Sequence, residues 1–213
     1  MLTVHSQVSW HACLRVRIGS GGGASVKSSL PIPIIQEHLI KLGGHLKWHG
    51  ALSLDAILEE GNPKYIDINP RIVEPMNALY SGVDLVEDLI EVSLGHSLSL
   101  SKPKVGSLGV ESHQTVLALV GACLNGRRAV FVEFFVILLS LEDFAHSKEE
   151  LTPITGDPIT LLVLLGLFIL LLFHGAEGAK KMSRAAVSKY ALSPEGWDAI
   201  LEKRAHGDKK DNT

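Results

Sequence analysis

The residues best suited to chemistry stand together in Tyr65-Ile66-Asp67-Ile68-Asn69-Pro70-Arg71, where an acid, an amide and a guanidinium close an apolar run. Tyr65, Ile66 and Ile68 give that run strand character, and a second strand-like segment, Leu46 to Leu58, precedes it. Glu59-Glu60-Gly61-Asn62-Pro63 joins them, and its Gly, Asn and Pro signal a turn. Antiparallel strands linked in this way set Asp55 and Asp67 side by side. Two carboxylates converging with the Asn69 amide oxygen make a hard-oxygen site suited to Mg2+ or Mn2+, with Mg2+ keeping several waters and bridging phosphates. Arg71, two residues beyond Asn69, is placed to hold a phosphate or carboxylate bidentately. The plainer alternative is a surface hairpin whose Asp and Asn only cap turns.

Asp55, followed by Asp67-Ile68-Asn69-Pro70-Arg71, resembles the C-terminal end of an ATP-grasp domain, which has an acid on one strand and an acid-x-Asn pattern about a dozen residues on. Ser81-Gly82-Val83-Asp84-Leu85, the helix behind it and Leu94-Gly95 are similar to the family's tail. The resemblance implies that Asp55, Asp67 and Asn69 hold the magnesium ions that bridge ATP phosphates. It further implies that Asp55, Asp67, Asn69 and Arg71 together bind Mg·ATP, and that Arg71 acts catalytically as the clamp on an acylphosphate or substrate. The reaction implied is ATP-dependent ligation, in which an unknown small carboxylate takes the γ-phosphoryl group and an amine or thiol displaces phosphate. Glu74, three residues past Arg71, is loosely similar to a carboxylate that some carboxylase relatives use as a base. Only residues 1–45 precede the motif, too few for the family's preceding subdomain. The expectation is therefore a chain truncated at its N-terminus, a fragment or one inactive alone.

The bulk properties bound other readings. In 213 residues the chain has room for one good core or two small ones, and its net charge of -3, with no clustered basic element, argues against nucleic acid as a partner. Cys13 and Cys123 lie far apart without metal-ligand spacing, which favours a reducing compartment. The ten histidines are scattered, and the nearest to a cluster, His38, His45 and His49, are read as solvated or hydrogen-bonded.

In chain order, alternation from Val4 to Ile18 predicts a strand, with no signal peptide before it. The glycine run from Gly19 ends in Lys27-Ser28-Ser29; a phosphate loop and a linker or hairpin are equal alternatives, since Val26 breaks the Walker spacing. Ile34 to Leu42 predicts a helix closed by Gly43-Gly44. After Pro75 one helix is expected, and another over Val83–Leu94. Ser97 to Ser112 has linker composition. Ser112 to Leu124 and Arg127 to Leu141 are expected as helices joined at Asn125-Gly126, and Ser193-Pro194 opens a last one.

Pro158 to Phe173 is almost purely aliphatic and aromatic; extended to Ala176 it reaches the length that just crosses a bilayer. Glu149-Glu150-Leu151-Thr152-Pro153, Asp157-Pro158 and Tyr190-Ala191-Leu192 loosely resemble a helical extension carried by some bacterial ATP-grasp proteins.

The architecture expected is α+β: a partial ATP-grasp antiparallel sheet with helices over 1–96, a linker over 97–112, and an all-α hydrophobic extension over 113–205. Within that extension 158–176 is the expected membrane segment, and 206–213 is a solvated tail. An ATP-using chain of this kind belongs on the cytoplasmic side, associated with the membrane through 158–176. The competing function is a non-catalytic, membrane-associated scaffold or interaction protein.

Overall fold

The computed structural model describes residues 9–19, 23–96, 106–153 and 156–190. Strand β1 (Cys13–Ile18) pairs antiparallel with β2 (Ala24–Ser29), so the glycine run serves as a hairpin connection and Lys27-Ser28 lie inside a strand rather than in a phosphate loop. Helix α1 (Pro33–Leu46) starts with Pro at its first position and runs through Gly43-Gly44, ending one turn later than expected at a left-handed Lys47. The strand expected from Leu46 is correspondingly shorter: β3 spans Ser53–Glu59 and pairs antiparallel with β4 (Asn62–Asn69).

Helices α2 (Met76–Tyr80) and α3 (Leu85–Ser93) follow. Asp84 caps α3, its Oδ1 accepting from the Val86 and Glu87 N–H groups at 3.1 and 2.9 Å; this satisfies two of the helix's unpaired donors. Where a helix is expected from Ser112, a three-residue strand β5 (Glu111–His113) comes first, and α4 (Thr115–Cys123) begins behind it. Helix α5 (Arg127–Leu138), a 3-10 turn (Glu142–Phe144), β6 (Lys148–Glu149) and α6 (Thr160–Tyr190) complete the order. The helix expected from Ser193 lies outside the described residues.

The fold is α+β. One sheet has the order β1-β2-β5-β6, with β5 antiparallel to β2 and parallel to β6; β3 and β4 form a separate two-stranded sheet. The region from 113 on is thus not all-α, because β6 and the end of β5 belong to the sheet started by residues 13–29. These strands are two and three residues long, below the length at which alternation registers.

Two apolar clusters hold the helices. Leu119 and Cys123 of α4, Val130 of α5, and Phe168 and Leu171 of α6 form the larger one, where Phe134 stacks on Phe168 with ring centroids 4.0 Å apart. Val26, Ala118 and Phe144 form the second, joining β2 to α4 and the 3-10 turn. Among the described residues no helix is long and apolar enough to cross a membrane. The stretch expected as a crossing, 158–176, enters α6 at Thr160 and meets a break at Gly175 (φ 62°, ψ −161°), and its Leu164, Phe168 and Leu171 are buried in protein.

Candidate functional site

The β3–β4 hairpin forms because its turn chemistry and its alternation agree. Glu60 and Gly61 link Glu59 to its partner Asn62 and both have positive φ, 50° and 82°. That is the pattern of a type I′ turn, whose twist matches that of paired strands. From the turn the register runs to Asp55↔Asp67, Leu54↔Ile68 and Ser53↔Asn69, with an irregularity between Asp55 and Ala56. Directly paired residues share a face, and residues two apart on a strand share it as well. Ser53, Asp55, Asp67 and Asn69 therefore occupy one face, and Leu54 and Ile68 the other.

This register brings Asp55, Asp67 and Asn69 together, while Arg71 lies beyond the end of β4. Asn69 Nδ2 donates to Asp67 Oδ2 at 2.6 Å, so the amide presents its NH2 group to the carboxylate. Asp55 is engaged from outside the hairpin: Arg15 of β1 donates through Nη2 to Asp55 Oδ2 at 2.6 Å, both side chains being a little under half exposed. An ion pair that open contributes at most about 1 kcal/mol to stability. It does lower the negative charge at one of the two carboxylates.

Ser53 fixes the exit of β4. Its Oγ donates to the Arg71 carbonyl at 2.7 Å and accepts from the Val73 N–H at 3.2 Å, while the Arg71 N–H donates to the Asn69 carbonyl at 2.8 Å. Arg71 itself is exposed. Among the described residues no group of three or more His, Cys, Asp or Glu side chains could hold a metal. What the hairpin face offers instead is two carboxylates and an amide, with Asp55 Oδ2 engaged by Arg15 and Asp67 Oδ2 by Asn69.

Sequence reasoning missed a second polar constellation, inside the fold. Lys27, 3% exposed, donates through Nζ to Glu150 Oε2 at 2.7 Å and pairs with Glu74 Oε2 at 2.6 Å. The Glu150 side chain, 1% exposed, is satisfied on both oxygens: Ser112 Oγ donates to Oε1 at 2.6 Å and Gln114 Nε2 to Oε2 at 2.7 Å. Asn77 of α2 continues the chain, donating to Ser112 Oγ at 2.6 Å and to the Val110 carbonyl at 3.1 Å, with its Oδ1 2.7 Å from His11 Nε2. Burial by itself pulls the Lys27 ammonium down, but its hydrogen bonds with Glu150 and Glu74 outweigh this, and the net shift is upward. The lysine is thus a fixed internal cation.

Glu74 reaches Lys27 from a left-handed backbone (φ 50°) three residues beyond Arg71. Such a conformation costs a non-glycine residue about 1–3 kcal/mol and persists where its surroundings hold it. The loop leaving the hairpin is therefore tied at Ser53 and at Lys27.

Glu149, the last residue of β6, makes a separate set of bonds. Its Oε2 accepts from the Thr115 N–H and hydroxyl at 2.9 and 2.5 Å, and its Oε1 from the Leu151 and Thr152 N–H groups at 2.9 and 3.0 Å. Burial would raise this carboxyl, but these donors win and hold it below the ordinary range. The signal available in the sequence was the paired acid of Glu149-Glu150 before Leu151; nothing local said that Lys27 answers it. Compared with known protein families, curated proteins and solved structures, the chain matches none.

Proposed function

We propose that the β3–β4 hairpin is a magnesium-nucleotide site of ATP-grasp type, and that β3, β4, α2 and α3 are the C-terminal part of such a domain. The observation that carries this reading is the register: Asp55 faces Asp67 directly, and Asn69 lies two residues along on the same face. A magnesium ion bound there would neutralise charge on the β- and γ-phosphates.

The chain's own residues do the rest. Asp55, Asp67 and the Asn69 amide oxygen would hold the ion. Arg71, exposed and anchored through its backbone to Ser53 and Asn69, would bind a phosphate or carboxylate oxygen bidentately. Arg15 holds Asp55 Oδ2, so an ion binding through that oxygen would displace the guanidinium. The reaction class is ATP-dependent joining of a small carboxylate to an amine or thiol through an acylphosphate.

Calorimetric titration of the full chain with ATP, with and without Mg2+, tests the proposal beside an Asp67→Asn/Asn69→Ala variant. Magnesium-dependent binding weakened at least about tenfold in the variant supports it, since a lost ligand costs on the order of 1.4 kcal/mol or more. Equal behaviour of the two proteins would sink it.

A second reading, a non-catalytic interaction protein, draws on a different observation: α5 and α6 expose Phe131, Phe135, Leu162 and Ile169. It expects tolerance of the same double substitution.

A further inference from the structure

Among the described residues, helices α5 and α6 expose an apolar surface. On α5, Phe131, Phe135 and Leu138 recur at i, i+4 and i+7 with 51%, 40% and 50% of their surface exposed. On α6, Leu162, Leu165 and Ile169 recur at i, i+3 and i+7, with Leu162 69% exposed. The Phe131 ring lies 4.8 Å from Phe135 along its own helix and 6.2 Å from the buried Phe168 of α6, so the α5 stripe borders the seam between the two helices. A patch built from six large apolar side chains on adjoining helices marks a contact surface rather than ordinary scattered exposure.

The ends of this surface carry opposite charge. Arg127 and Arg128 are exposed at the start of α5, and Arg127 Nη2 donates to the Phe173 carbonyl at 3.0 Å, tying that end to α6. Lys180, beyond the break at Gly175, is paired with Glu177 at 3.1 Å, so the two arginines carry the positive charge of this end. At the other end Glu142 and Asp143 follow α5, and Asp157 precedes α6, all exposed.

We propose that this face binds a second copy of the chain in a two-fold, antiparallel arrangement. A two-fold axis sets the same patch against itself, so the basic end of one copy meets the acidic end of the other. Lipid fits less well. The apolar part of α6, residues 160–173, spans about 21 Å at 1.5 Å per residue, short of the roughly 30 Å hydrocarbon core. Lying flat on an anionic surface, the helices would bring Glu142, Asp143 and Asp157 against headgroups of the same sign.

The test is sedimentation equilibrium of the detergent-free full chain across micromolar concentrations, with circular dichroism as the folding control. The expected result is a dimer. Phe135→Gln and Leu162→Gln, both exposed positions, should each weaken it at least about tenfold with unchanged helix content. Arg128→Glu should weaken it too, and adding Asp143→Lys should recover much of the loss. A wild-type monomer at every concentration overturns the proposal; if that monomer floats with phosphatidylglycerol vesicles, the face belongs to lipid. A dimer indifferent to both glutamine substitutions overturns it as well.

Discussion

Lys27 and Glu150 meet at 2.7 Å in the interior although 123 positions separate them, and each is almost wholly removed from solvent. Two buried charges are costly to bring together, and costlier to leave apart. Lys27→Met should therefore destabilise the chain by roughly 3–5 kcal/mol, because Glu150 would stay buried as an uncompensated charge. Glu74→Ala should cost far less, since 39% of that side chain is exposed and water can replace it. Urea unfolding of the two variants gives the comparison, and equal losses would contradict it.

Acid should lower the stability of the protein across two pH windows. Burial holds His11 and His113 below 6.5, outweighing the upward pull of the Asn77 hydrogen bond on His11 and of Glu149 on His113. The unfolded chain then takes up protons near 6.5 that the folded chain refuses, so their stabilising share is complete above 6.5 and falls as pH drops toward the lowered folded values. Glu149, held below 4.5, contributes stability that is present above 4.5 and lost as its folded carboxyl protonates. Unfolding free energy measured between neutral and strongly acid pH should decline across both windows, and His113→Gln should flatten the upper one.

The hairpin turn can be improved. Glu60 carries a positive φ that a β-carbon disfavours, while asparagine visits that region more readily. Glu60→Asn should raise stability by up to about 1 kcal/mol, and Gly61→Ala should lower it by about 1–2 kcal/mol. Thermal melts of the two single variants check the opposed signs.

Helix packing has its own reporter. Phe168 is 8% exposed, stacks on Phe134 and neighbours Phe131, so Phe168→Ala should cost about 3–5 kcal/mol through lost contacts and a cavity. Asp67→Asn/Asn69→Ala, on the open face of the hairpin, should shift stability by no more than about 0.5 kcal/mol. If that pair of substitutions unfolded the chain, its effect on nucleotide binding would carry no meaning.

What was legible in the sequence was local. The pairing of Asp55 with Asp67 followed from Gly61 and from the alternation through Tyr65, Ile66 and Ile68, all within one hairpin. Helix α5 followed from an apolar run with few interruptions. The end of α1 was misjudged because Gly43-Gly44 are tolerated inside a helix whose last turn closes on Lys47. Strands β5 and β6 were too short for any periodicity, and with them went the Lys27–Glu150–Ser112 network, whose members belong to three separate stretches of chain. An aliphatic run such as 158–173 does not say whether lipid or protein covers it; Val130, Leu119 and Cys123, distant in sequence, decide that for one side of α6.

The strand order β1-β2-β5-β6 also sets a timetable for synthesis. The β3–β4 hairpin closes within 17 residues, from Ser53 to Asn69, and is free to form as soon as it leaves the ribosome. The older β1–β2 hairpin emerges first yet carries Lys27, whose interior counter-charge arrives only with Glu150. Until then its carboxylate partner is Glu74, itself 39% exposed, and the sheet lacks β5 and β6. The candidate metal site is thus built from the early-forming piece, while the central sheet is completed by a segment made more than a hundred residues after its first strands.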